Sequence, residues 1–224
     1  IVALFGIRRH KTGLRLSRQN FRPRKGVLGR ILKIGLPVAV QDGCIQVAFI
    51  IITIIANHRG LIDSAAVGIV EKLIGLLFIV PSALLSTVSA VSAQCLGSGN
   101  IERARQTVRY SVYIASGFGL AVSVLFQFIP EHAMRLFTAD AVVIAQGSDY
   151  LQSYVIDCFL AGIHFCFSGY FVACGHSSIS FFHNVVSIVF ARLPLAYLFS
   201  ALYPETLYPM GLASPIGSFL SVVI

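Results

Sequence analysis

Residues 34–56 read IGLPVAVQDGCIQVAFIIITIIA, twenty-three positions with a single charge, Asp42. As a helix rising 1.5 Å per residue this run covers about 34 Å, enough to cross a hydrocarbon core of roughly 30 Å. Twelve Leu, Ile, Val or Phe residues in the run contribute about −5 kcal/mol to insertion, against roughly +3 for one carboxylate, so it inserts with Asp42 aboard. A backbone at that depth meets no water and must close its own hydrogen bonds, which a helix does. Ten of the seventeen Lys and Arg residues stand just before or at the opening of this run: Arg8, Arg9, Lys11, Arg15, Arg18, Arg22, Arg24, Lys25, Arg30 and Lys33. Basic clusters flanking a span stay on the cytoplasmic side.

The rest of the chain repeats the pattern. It is 56% hydrophobic and only 12% charged, with a mean hydropathy of +0.82, more apolar surface than a soluble core of this size buries. Arg103, Arg105 and Arg109 follow a later apolar run and bring the inside total to thirteen, against Arg59 and Arg135 outside; Lys72 and Arg192 lie within spans. The net charge of +8 therefore reads as topology and contact with anionic lipid headgroups. The basic segment has one aromatic, Phe21, among its cations and not the interleaved set that stacks on bases, which argues against a nucleic-acid partner. Cys44, Cys95, Cys158, Cys166 and Cys174 have no metal-ligand spacing and read as reduced packing residues.

The pattern predicts an all-α polytopic membrane protein. Residues 1–26 are the apolar end of a preceding span plus a basic linker, cytoplasmic over residues 8–30. Residues 27–224 form a lobe of six helices at about 27–56, 62–95, 101–129, 142–174, 179–203 and 210–224, the last of them cut short. Pro81 is the expected kink of the second helix, and Asn100 the cap of the third. Small residues spaced by four on the second helix (Ser82, Ser86, Ala90; Ser89, Ala93, Gly97) predict a close helix–helix seam. The chain opens without Met, and both ends fall in apolar runs, as expected for an internal piece of a longer protein.

Charges inside spans are the candidates for chemistry, since each is costly there. Asp42 lies near the middle of its helix, with Gln46 one turn on and Pro37 permitting a bend one turn before. It is either a proton- or cation-binding carboxylate facing a cavity, or a carboxyl held by protonation or by another helix. Asp157 and His164 are seven residues apart, about 10.5 Å along one helix face, too far for a direct bond; both suit one water-filled path. A neutral imidazole bonded to a neighbouring helix fits His164 equally well. Glu71, Lys72 and Arg192 are candidates for structural charge pairs. No metal-binding, hydrolase or phosphate-loop motif is present, so no cofactor is expected.

Four stretches together resemble the multidrug and toxic compound extrusion family: Lys33-Ile34-Gly35-Leu36-Pro37; Ala93-Gln94-Cys95-Leu96-Gly97-Ser98-Gly99-Asn100-Ile101-Glu102-Arg103-Ala104-Arg105; Ser168-Gly169; and Arg192-Leu193-Pro194-Leu195-Ala196-Tyr197. In order and spacing they are similar to the family's carboxyl-terminal half. The resemblance implies a six-helix lobe of a two-lobe antiporter, with an amino-terminal lobe before Ile1. It implies export of small cationic amphipathic compounds in exchange for H⁺ or Na⁺, in the inner cell membrane. Some members carry acidic coupling residues at positions that align with Ile45 and Ala161; here Asp42 and Asp157 each stand about one turn earlier. Three rivals remain: a flippase for lipid-linked saccharides or other amphipathic anions, a membrane-embedded enzyme using Asp157 and His164, and an inert fragment, since half of a two-lobe transporter should not transport alone.

Overall fold

The computed structural model describes residues 25–224, apart from the Arg30 side chain; the expectations for residues 1–24 lie outside them. The chain divides into two compact units, residues 1–33 and residues 34–224. The described part of the first is the opening of helix α1, Lys25–Arg59. From Ile34 onward the second unit continues through α2 (Leu61–Leu77), α3 (Ile79–Gly97), α4 (Ile101–Phe128) and the short α5 (Pro130–Arg135). It ends with α6 (Ala141–Tyr154), α7 (Asp157–Ala173), α8 (Ser177–Ser187), a π turn (Ile188–Arg192), α9 (Leu193–Leu202) and α10 (Tyr208–Val223). No strand occurs among the described residues.

Among the described residues four helical stretches are long and apolar enough to cross a membrane: Lys25–Arg59, Leu61–Gly97, Ile101–Phe128 and Ser177–Leu202. The bent pair α6–α7 makes a fifth. At 16 residues, α10 spans only about 24 Å. Large apolar side chains stay on the outside, Leu76 at 59% and Leu120 at 58% exposed among them, the surface a lipid solvent selects.

Three breaks shape the unit, and each has a local cause. The break between α2 and α3 falls at Phe78 rather than at Pro81. Pro81 has no N–H to give the Leu77 carbonyl four residues back, so the ladder fails upstream of the ring. The helix expected over residues 142–174 is two helices bent by 41°. Between them Cys158 N and Phe159 N bond to the carbonyls of Val155 and Ile156 at 3.0 and 3.2 Å, a three-residue turn that tightens the chain and makes Asp157 the first residue of a new helix. The helix expected over residues 179–203 contains the π turn, where Leu193 N–H reaches the Ile188 carbonyl five residues back. Pro194, which cannot bond Phe190, sits just after it.

The turns follow the sequence signals. Asn100 Oδ1 accepts from Arg103 N at 3.0 Å, and Asp140 Oδ1 accepts from Val142 N at 2.9 Å. Gly99 and Gly175 both take φ +78° so that the next N–H can reach back and close α3 and α7.

The packing seam is a correction. On α3 the buried residues are Pro81, Val88, Ser92 and Cys95; Ser82, Ser86, Ala90, Ala93 and Gly97 are exposed. Close approach is provided from α4 and α7 instead. A Cβ on Gly119 would stand 2.5 Å from Phe159 Cα, one on Gly162 3.1 Å from Ala115 Cβ, and one on Gly169 2.6 Å from the Leu85 carbonyl oxygen. Ser82 and Ser86 look instead toward a cavity. The main core lies where α1 ends and α2, α6 and α10 meet, around Ala56, Val67, Ile74, Tyr150, Leu151 and Met210.

Candidate functional site

A cavity of about 640 Å³ opens between α1, α2 and α3, large enough for a small organic molecule. Asp42 and Gln46 from α1, Glu71 and Lys72 from α2, and Ser82 and Ser86 from α3 are on its walls, with Phe49, Phe78 and Phe165 among them. Asp42 and Lys72 are exposed, Glu71 half-buried. Thr53 Oγ1 donates to the Phe49 carbonyl at 2.9 Å and lies 3.3 Å from each Glu71 carboxylate oxygen. Glu71 and Lys72, expected as charge-pair residues, form no ion pair within 4 Å among the described residues. Adjacent on the helix, they diverge by about 100°. Gln41, which the sequence reading passed over, is buried on the same wall and accepts from Ser180 Oγ at 3.1 Å.

Behind this wall lies a second cavity of about 60 Å³ that shares Ile45, Phe49, Phe78 and Phe165 with the first. That volume takes one ion or a few waters. Arg192 Nη2 donates to Asp157 Oδ2 at 2.7 Å, with the Asp157 side chain wholly buried and Arg192 12% exposed. Arg192 expected a partner, and the partner proves to be a residue read as a cavity ligand. The two breaks bring them together: the α6–α7 bend starts a helix at Asp157, whose N-terminal partial charge favours a carboxylate, and the π turn rotates Arg192 inward. The Arg192 guanidinium carbon also stands 5.9 Å from the Phe49 ring centroid, a cation–π distance.

Asp157 Oδ1 and His164 Nδ1 are buried with no hydrogen-bond partner among the described residues, and both residues line the small cavity. Ile45 and Ala161, the positions where the resemblance would place acids, line it too. The four sequence candidates thus divide: Asp42 and Gln46 on the large cavity, Asp157 and His164 on the small one.

His183, like Gln41, escaped the sequence reading. Its Nε2 is 3.1 Å from Ser168 Oγ and its Nδ1 2.6 Å from Ser221 Oγ. In the neutral ring one nitrogen donates and the other accepts, so the ring bridges α7 and α10. The His164 ring packs edge-on against it, centroids 5.8 Å apart. The available signal was a serine stripe: Ser214, Ser218 and Ser221 recur at helical spacing on α10 and are buried, as are Ser180 and Ser187 flanking His183 on α8.

A family model described as MatE matches residues 37–198. The human multidrug and toxin extrusion protein 1 is 25% identical over 157 residues, covering 70% of this chain and 27% of that protein. The probable multidrug resistance protein YpnP of Bacillus subtilis is 26% identical over 171 residues, covering 76% of this chain and 38% of that protein. The solved outward-facing structure of a multidrug resistance MATE transporter superposes with a TM-score of 0.88 at 19% identity, covering 98% of this chain and 50% of that one. The chain thus spans about half of the solved structure, and the matched stretch spans well under half of either curated relative. The relatives are transporters, which sets aside the membrane-embedded enzyme. Since the matched residues run from Pro37 on α1 to Leu198 on α9 and carry most of both cavity walls, the chain belongs to the MatE family of membrane transporters.

Proposed function

We propose that residues 27–224 form the carboxyl-terminal lobe of a secondary antiporter that exports small cationic amphipathic compounds in exchange for H⁺ or Na⁺. Residues 1–26 would hold the end of a preceding span and a basic cytoplasmic linker, in the inner membrane of the cell, with a second lobe ahead of them. The observation that supports this reading best is the wall chemistry of the large cavity. Asp42 and Glu71 outnumber Lys72, and Phe49, Phe78 and Phe165 line the same cavity. Carboxylates beside aromatic rings suit a cation with an apolar body, since each ring adds about 0.5–2 kcal/mol to a desolvated cation. An anionic lipid-linked saccharide would want several inward cations, and Lys72 alone stands on this cavity among the described residues.

Coupling would follow from competition for charge. Protonating Asp42, or placing Na⁺ against it, removes its attraction for the guest, so one wall serves both in turn. Asp157 is the second candidate: an incoming H⁺ or Na⁺ would take the place that Arg192 now fills, loosening α7 from the π turn. Gln46 and His164 would offer neutral polar contacts to guest and water.

The test is efflux of a fluorescent cationic dye by the intact transporter in inverted vesicles, run with a proton gradient and with a sodium gradient. Asp42→Asn should cut efflux about tenfold or more, the equivalent of ~1.4 kcal/mol of lost charge pairing, at unchanged expression. Unaltered efflux would take Asp42 out of the mechanism. Export of an anionic lipid-linked sugar without dye export would favour the flippase.

A further inference from the structure

A groove of about 430 Å³ lies between α4 and α7, at the end where α4 begins and α7 finishes. It shares no residue with the two cavities. Its floor is the half-buried Val108, Val112 and Tyr170, which pack on Val88, Ala115 and Cys166. Phe167 and Tyr113 stand exposed at its sides, and Arg105 and Arg109 complete the lining.

The arginines are presented outward. Arg109 Nε donates to Tyr113 Oη at 3.0 Å, with the guanidinium carbon 5.6 Å from the Tyr113 ring centroid. That contact orients the fork while leaving its two terminal nitrogens without a protein acceptor among the described residues. Glu102 is one turn from Arg105, yet neither arginine forms an ion pair there. Beyond Arg109 the outer face of α4 turns apolar: Tyr113, Leu120, Val124 and Phe128 are all at least half exposed. From residue 109 to residue 128 this strip runs about 28 Å, close to one hydrocarbon thickness.

Two unpaired guanidinium forks, an aromatic collar and a long apolar strip form the complement of one amphiphile. We propose that this groove binds an anionic phospholipid of the leaflet beside the basic loops, its phosphate forked by Arg105 and Arg109 and one acyl chain laid along Val108, Val112 and Phe167. Arginine forks match phosphate oxygens in pairs, and an anionic headgroup is selected over a zwitterionic one because no carboxylate among the described residues lines the groove or pairs with either arginine.

Native mass spectrometry of the intact transporter in micelles holding equal phosphatidylglycerol and phosphatidylcholine tests this. The parent should retain phosphatidylglycerol roughly thirtyfold over phosphatidylcholine, from two basic residues each acting on the anionic head. The double variant Arg105→Gln with Arg109→Gln should bring that ratio to about one, whereas Arg135→Gln, outside the groove, should leave it unchanged. Arg109→Lys, which keeps the charge and loses the fork, should fall between parent and double variant. Both arginines are exposed, so circular dichroism of the variants should match the parent. A double variant that retains phosphatidylglycerol like the parent overturns the proposal, as does displacement of the lipid by millimolar inorganic phosphate, which would mark a soluble-anion site.

Discussion

Arg192 and Asp157 show how far a single residue can be read in isolation. A guanidinium inside an apolar run must find an acceptor, and that much is plain from the chain. That the acceptor is Asp157, 35 residues earlier, follows from the α6–α7 bend and the π turn. Arg192→Met leaves a buried carboxylate alone and should cost about 3–5 kcal/mol in thermal or chemical unfolding in detergent. Replacing both partners, Asp157→Leu with Arg192→Met, should restore much of that loss; equal damage from single and double variants would mean the pair is not the stabilising element. His183 carries the same lesson for neutral groups. His183→Phe should cost roughly 1–3 kcal/mol by stranding the Ser168 and Ser221 hydroxyls, measurable in the same unfolding experiment.

The elements were legible as apolar runs with capping residues at their ends, because composition alone decides what a bilayer accepts. Their breaks were legible only in kind. Pro81 and Pro194 announce missing hydrogen bonds, but the chain relieves each of them upstream, at Phe78 and in the 188–192 turn. The bend at residues 155–156 has no proline or glycine of its own and went unforeseen. Small residues at helical spacing occur on α3 and on α4 alike, and periodicity cannot say which stripe meets a neighbour. The packed positions Gly119 and Gly169 make the distinction testable: Gly119→Ala or Gly169→Ala forces a methyl against backbone and should destabilise by about 1–3 kcal/mol. Gly117, two residues away, has open space around its would-be Cβ, so Gly117→Ala should be neutral or gain up to ~1 kcal/mol of helix propensity. Thermal unfolding of the three variants side by side decides the matter.

Across the whole of the second unit, one side chain ties distant ends together. Arg59 counted in the sequence only as a topology marker outside the membrane. In the structure its side chain is 8% exposed and bonds Asp63 at 2.6 Å. It also donates to the carbonyls of Ser200, Tyr203, Pro204 and Thr206 at 2.9–3.2 Å. The junction of α1 and α2 is thereby fastened to the loop between α9 and α10, which Thr206 also binds to Asp149 on α6 at 2.8 Å. Arg59→Lys keeps a charge but has no planar fork to serve so many carbonyls. It should speed amide hydrogen exchange over residues 52–59 and 200–208 while leaving α4 as protected as before; uniform protection in both regions would refute the fastening role. The sequence by itself determined that the chain is helical and threaded through lipid, because hydrophobic length and charge placement are additive along a chain. The tertiary structure alone decided which buried charges face which cavity. That choice depends on where helices bend and how closely they pack, and those are properties of pairs of elements, set by contacts between residues far apart in the chain.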